Sequence, residues 1–513
     1  MLNTKYLILL AFLFGCSSNS TKKPEDDNIN SNTTYNDMHR PQIHFSPPAH
    51  WMNDPNGMVY YNNIYHLFYQ YYPDSTVWGP MHWGHATSKD LIHWEHQPVA
   101  LYPDSLGYIF SGSAVADINN TTGFGANGKV PLVAIFTHHN AKGEKAHQNN
   151  YQNQSIAYSL DEGKTWTKYA NNPVLKNPGI ADFRDPNVRW HDEVKKWIMT
   201  LATKDRITFY SSPDFKKWSK ESEFGEKLGA HGGVWECPDL MPFTVDGKKV
   251  WVLFVSINPG GLNGGSATQY FVGDFDGKKF TPYSTDTKWV DYGTDDYAGV
   301  TWSNTGDRKI FLGWMSNWQY AKVVPTVAWR SAMTVPRDLK LVKMNNSYLL
   351  TSMPVNELNV IKDKEITLNN TTVIGNYDLS EKVKDLPGQY KLNLTSDTIK
   401  SFSIALSNDQ GEQVQIGYSK EENAYYIDRT KSGKIDFEKG FAKRFTGPRL
   451  TTDHKLNLTL VVDVASVELF ADDGLTVMTG IFFPDKTYNK AVITSNDAFS
   501  IKELHYTGLK SIW

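Results

Sequence analysis

The amino-acid sequence predicts an all-β protein in which the blades of a β-propeller are followed by a β-sandwich. Three observations carry that prediction. First, no long stretch of the 513 residues holds a helical period of apolar side chains. Short aromatic and β-branched runs recur instead, broken by Gly, Asn, Asp and Pro. Second, a motif repeats: Ser88-Lys89-Asp90 leads to Trp94, Ser159-Leu160-Asp161 to Trp166, Ser212-Pro213-Asp214 to Trp218, and Asp274-Phe275-Asp276 to Phe280. The Asp positions lie about 50–70 residues apart, the scale of one four-stranded blade with variable loops. Unrelated β-hairpins in one large sandwich are the alternative reading of that repeat. Third, from about Tyr348 the aromatic repeat gives way to alternating strands such as Phe402 to Leu406 and Leu458 to Val462, with Asp472-Asp473-Gly474 as a hairpin turn.

Taken in order, residues 1–15 read as a lipoprotein signal peptide. Lys5 precedes an apolar run from Tyr6 to Phe14, then Gly15-Cys16-Ser17-Ser18. That run is too short to span a bilayer but suits a signal peptide. A small residue directly before Cys16 resembles the bacterial lipoprotein box, in which Cys16 is lipidated and becomes the new N-terminus; an ordinary signal peptide cut nearby is the alternative. Residues 16–40 are polar and expected to form a tether. The polar, non-acidic residues after Cys16 favour the periplasmic face over the cell surface for the exported, lipid-anchored protein. Residues 41–345 are assigned to the propeller and 346–513 to the sandwich. Within the first blade, Met58 to Tyr61, Asn62-Asn63 and Ile64 to Tyr69 read as strand, turn and strand.

Composition narrows the function. The chain carries 52 Lys and Arg against 55 Asp and Glu, a net charge of −3, with the signs scattered. A nucleic-acid binder needs a concentrated basic face. Two cysteines exclude a disulfide scaffold and a multi-Cys metal site. His82, His85, His93 and His96 fit no helix face, so neither a metal nor another cofactor is expected. His138-His139 and the run Gly260 to Gly265 read as loops at the channel rim. The 16 Trp, 27 Tyr and 25 Phe supply flat faces that pack cores and also stack on sugars.

Three acids stand out by position. Asp54 in Trp51-Met52-Asn53-Asp54-Pro55-Asn56-Gly57, Asp185 in Arg184-Asp185-Pro186 and Glu236 in Trp235-Glu236-Cys237-Pro238-Asp239 each open a strand that starts a repeat. The first strand of a propeller blade lines the central channel. Three acids at one stage of successive repeats therefore converge on one axial mouth. Any one of them alone could simply mark a Pro-containing turn. Clustered carboxylates among aromatics suit glycoside hydrolysis, which needs one ionised and one protonated acid. Their mutual repulsion separates the two protonation states.

These residues resemble the signature of glycoside hydrolase family 32, the invertases, levanases, inulinases and related β-fructosidases. The resemblance runs in order through Gln70-Tyr71-Tyr72-Pro73, Trp78-Gly79, His82 to Ala86, Phe110-Ser111-Gly112-Ser113, Phe183 to Pro186, Trp235 to Pro238, Gly313 to Trp318, Trp329-Arg330, Thr334 to Arg337 and Val462 to Phe470. It implies a five-bladed β-propeller followed by a β-sandwich. It further implies Asp54 as nucleophile, Glu236 as general acid/base and Asp185 as transition-state stabiliser in a retaining mechanism. Asn53, Gln70, Trp78, Ser111, Arg184 and Trp314 are implied to bind fructose. Adjacent residues of an ideal strand face opposite ways, so Arg184 and Asp185 can share a sugar only where the chain bends. Cys237 is expected to pack beside Glu236 rather than to react. Asp296 stands where the family usually carries an aromatic, a change expected at the rim.

The resulting expectation is release of terminal fructose from levan, inulin, fructo-oligosaccharides and sucrose. Exo action is favoured because Gly313 to Trp318 and Trp329 to Arg337 look like the exo-acting branch. Endo-levanase or endo-inulinase activity, a non-hydrolytic fructan-binding lipoprotein and a fructosyltransferase are the alternatives. The partners expected are the fructan substrate and, through Cys16, a membrane, but no nucleic acid. Nothing in the sequence sets the oligomeric state.

Overall fold

The computed structural model describes residues 35–344, 346–384 and 386–513; the expected signal peptide, Cys16 and residues 16–34 of the tether lie outside them. The fold is nearly all β. Five mainly antiparallel sheets follow one another as blades I to V, and one ten-stranded sheet forms the C-terminal unit. The inner strands of the blades are His50–Tyr61, Tyr108–Ala116, Phe183–His191, Val234–Val245 and Tyr297–Thr301. Each pairs with the next strand along the chain.

Local chemistry accounts for the turns. Asn62 and Asn63 both have positive φ, 49° and 62°, and close a two-residue hairpin between Tyr61 and Ile64. Such turns match the twist of the strands they join, and Asn tolerates the left-handed region. The repeated Asp marks the turn between third and fourth strands. Asp90 accepts the amides of Ile92 and His93 at 3.0 and 2.8 Å, Asp214 those of Lys216 and Lys217 at 3.0 and 2.9 Å, and Asp276 those of Lys278 and Lys279 at 2.8 and 2.7 Å. A short carboxylate thus replaces the missing ladder partners. The ring closes between blades V and I. Ser303 donates to Met58 O and accepts from Tyr60 N, both at 3.0 Å, and Trp329–Arg330 pairs in parallel with His50–Trp51.

The C-terminal sheet folds over its own core around one long strand, Lys490–Leu509, which pairs with Lys362–Asp378, Tyr390–Ser396 and Phe402–Ser407. Alternation places Leu392, Leu394, Ile404, Ile416, Leu458 and Leu460 inside.

Two expected boundaries move. Ser347–Pro354 pairs along its length with Arg337–Met344, so a division at 345/346 would cut a hairpin of blade V. The last blade carries no copy of the repeat motif, and a 3₁₀ turn at Asn356–Ile361 leads into the sandwich. The end of the expected tether is also packed. Tyr35 stacks on Trp513 with ring centroids 4.0 Å apart, while Arg40, 1% exposed, lies over Tyr35 and Trp329 and donates to Pro47 O and Pro48 O.

The two units share a buried ionic seam. Arg337 of blade V contacts Asp291 at 3.0 Å and Asp296 at 2.9 Å, and also pairs with Glu468 of the sandwich. His44 bridges Asp463 and Glu468, both at 2.8 Å. Asp296, 4% exposed, therefore belongs to this seam and not to the rim. The run Gly260 to Gly265 likewise docks against the sandwich, where Asn263 donates to Thr446 O at 2.9 Å.

Candidate active site

The site is built from irregularities. All five inner strands are bulged where they meet their neighbours: between Met52 and Pro55, Ile109 and Gly112, Arg184 and Asn187, Glu236 and Asp239, and Tyr297 and Val300. A bulge lets successive side chains leave the strict alternation of a strand. Asp185, Cys237 and Ala298 at these bulges have φ of 63°, 44° and 54°. Every blade thereby delivers a residue to one place: Asp54, Ser111, Asp185, Glu236 and Tyr297. The bend needed for Arg184 and Asp185 to act together is present.

The three acids meet. Asp185 accepts the amide of Cys237 at 3.0 Å, and the Cys237 sulfur lies 3.5 Å from Asp54 and 3.6 Å from Asp185. Asp54 accepts from Asn53 Nδ2 at 2.9 Å and Ser111 Oγ at 2.7 Å; Asn53 is in turn fixed by Trp51 Nε1 at 2.7 Å. Glu236 accepts from Arg184 Nε and Nη2 at 3.2 and 3.0 Å and from the hydroxyl of Tyr297. Arg184 also spans to Asp182 at 2.5 Å.

Burial and the neighbouring charges on Arg184, Glu236 and Asp54 act together on Asp185, and the net effect raises its carboxyl to about 7. Ionising Asp185 would add a buried negative charge beside two other acids, which is why its carboxyl holds its proton toward neutral pH. Burial, reinforced by the three acids, pushes the Cys237 thiol up, which keeps it a neutral packing group. Burial and Glu236 likewise hold Tyr297 protonated as a donor.

The acids floor a cavity of about 270 Å³. Eight of the nine side chains expected at the site line it: Asp54, Asp185 and Glu236 with Asn53, Gln70, Trp78, Ser111 and Arg184. Gln70 is 2% exposed, and its Nε2 has no protein acceptor among the described residues. A buried donor at a cavity suits a ligand hydroxyl.

Trp314 is the exception. It is fully buried beneath the floor, packed between Trp51 and Trp318 at 6.2 and 4.9 Å, and Trp318 reaches the cavity instead. Phe110, His139, Glu144, Gln152, Asp182 and Lys322 complete the wall. Of these, only Phe110, His139 and Trp318 lay in segments the sequence had singled out. The others come from segments without a motif: Glu144 from the short helix Ala141–Lys145, Gln152 from the start of a strand, and Asp182 and Lys322 from turns. Tyr297 was visible only as the neighbour of Asp296.

Comparison with known proteins follows the same outline. Residues 44–354 match the model of the glycosyl hydrolases family 32 N-terminal domain, and residues 357–508 match that of the family's C-terminal domain. A levanase of Bacillus subtilis is 46% identical over 497 residues, covering 93% of this chain and 72% of that protein. An extracellular exo-inulinase of Aspergillus niger is 41% identical, covering 93% and 96%. The crystal structure of the exo-inulinase from Aspergillus awamori superposes with a TM-score of 0.85 at 38% identity, over 93% of this chain and all of that one. A fold of five blades and a sandwich, an acid cluster at the axis and matches over both units lead to one assignment: the chain belongs to glycosyl hydrolase family 32.

Proposed function

We propose that the protein is a retaining β-fructosidase that removes terminal fructose from β-fructans, with Asp54 as nucleophile, Glu236 as general acid/base and Asp185 binding fructosyl hydroxyls. The observation that supports this best is the meeting of three carboxylates, from blades I, III and IV, on the floor of one small cavity. Asn53 and Ser111 orient the Asp54 oxygens toward the anomeric carbon. Glu236 gives its proton to the leaving oxygen, Asp54 forms the fructosyl ester, and Glu236 then takes a proton from the water that hydrolyses it. Arg184 and Tyr297 hold Glu236 in line. Asp185 strengthens its hold on the sugar as positive charge develops at the ring. The cavity's about 270 Å³ admits a chain end more readily than the middle of a polymer, which supports exo action.

The test is digestion of levan, inulin and sucrose with products resolved by size. Monomeric fructose from the first time point is expected, and a ladder of oligomers would overturn exo action. Asp54→Asn should lower kcat by roughly 10³-fold or more while the protein stays folded; normal turnover in that variant would remove the assigned nucleophile.

We further propose export and lipidation at Cys16, with the enzyme held at the periplasmic face. Fatty-acid labelling and fractionation of intact cells check this: Cys16→Ala should carry no label and move to the soluble fraction.

A further inference from the structure

A second concavity, separate from the active site, lies on the sandwich. It is a trough of about 490 Å³ across the outward face of Phe402–Ser407, Gln413–Ser419, Ala424–Lys431 and Arg444–Pro448, walled by the bend of the long strand at residues 494–497. Register explains its floor. Ser403, Gly417, Tyr426 and Thr446 form one row across the sheet, and Gln415, Asp428 and Arg444 lie in the next. The inward residues of the same strands are Phe402, Ile404, Ile416 and Ile427, so the polar rows are not needed for the core.

Gly417 makes a platform of this face. A Cβ there would lie 2.2 Å from Phe402 O and 2.7 Å from the Tyr426 hydroxyl, so glycine admits both the neighbouring strand and the phenol that crosses it. The Arg444 guanidinium sits 4.4 Å from the Tyr426 ring centroid and is itself pinned by Glu422. Asp428 is fixed by the amide and hydroxyl of Thr430, at 2.9 and 2.7 Å. Planar groups beside fixed donors and acceptors, with both charge signs represented, suit a neutral ligand that has hydroxyl edges and an apolar face. That is the chemistry of a sugar chain.

The trough is tied to the catalytic rim. Lys443, next to Arg444, donates to Asn263 O at 2.5 Å; Asn317 contacts Gly264 O at 3.4 Å; and Trp318 of the active-site wall donates its amide to Ser266 Oγ at 3.2 Å. We propose that the trough is a second, non-catalytic binding site for a β-fructan chain, holding the polymer while its end is trimmed in the propeller. The proposal rests on the fructan reading above.

The test uses the full chain. Asp54→Asn, alone and combined with Tyr426→Ala or Asn496→Trp, is run through native gels containing levan or inulin. The same trough substitutions in the active enzyme are assayed on the polymer and on a fructosyl trisaccharide. Loss of gel retardation is expected, with KM for the polymer raised roughly three- to ten-fold and trisaccharide kinetics unchanged. Asn496→Trp fills the rim from an exposed position and decides the matter where Tyr426→Ala fails to fold. Unchanged retardation and polymer KM, or an equal loss on the trisaccharide, would overturn the proposal. Cleavage of fructans with unchanged retardation removes only the trough; absence of fructose release by the wild type removes the fructan reading itself.

Discussion

The hydroxyl of Tyr297 donates to Glu236, and the guanidinium of Arg184 does the same from another side. Together they fix the direction in which the carboxyl points. Tyr297→Phe should lower kcat roughly ten-fold or more while the melting temperature changes little; unchanged kcat would show that the hydroxyl does not position Glu236. In the wild type Asp185, raised to about 7 chiefly by burial, loses its proton as pH climbs through that value. That adds a negative charge beside the reacting groups, so kcat/KM should change around pH 7; a flat profile from about pH 5 to 9 would rule out a titrating Asp185. At this scale the sequence was informative wherever an acid opened a repeat. Of two tryptophans in one motif the resemblance singled out Trp314, whereas Trp318 is the one that lines the cavity. Trp314 lies within the fully buried strand Lys309–Met315, and Trp318 follows in the turn beyond it. A motif specifies spacing, and the direction of each ring depends on where the strand stops.

Among elements, the bulged inner strands carry the chemistry. Ser111 reaches Asp54 because the chain between Ile109 and Gly112 leaves its register, and Gly112 is what permits the close approach. A Cβ at position 112 would lie 2.0 Å from Ile135 O and 2.7 Å from Phe136 Cα, both backbone atoms. Gly112→Ala should cost about 1–3 kcal/mol, seen as a lowered melting temperature, and should reduce kcat together with it. Retained kcat at full occupancy of the fold would show that Ser111 does not need this register. Blades were legible from their Asp-marked turns, since those side chains replace backbone partners at fixed offsets. The last blade lacks the motif, so its final strand could not be told from the sandwich.

For the whole molecule, the seam between propeller and sandwich sets a pH dependence of stability. Burial opposes a charge on His44, but its bonds to Asp463 and Glu468 prevail and raise it to about 9 from its ordinary 6.5. A group raised on folding stabilises fully below its unfolded value, and that contribution is lost as pH rises through the folded one. The melting temperature should therefore decline between about pH 6.5 and 9, and His44→Gln should be less stable overall without that decline. The seam was invisible in the sequence because its members, His44, Asp291, Asp296, Arg337 and Glu468, are dispersed over more than four hundred positions. All five blades contribute to one pocket. No fragment short of the full circle can retain partial turnover. Any loosening at the join where Ser303 meets Met58 displaces the reacting groups before a single one of them has itself been altered, so heat should silence the enzyme at the first parting of that join.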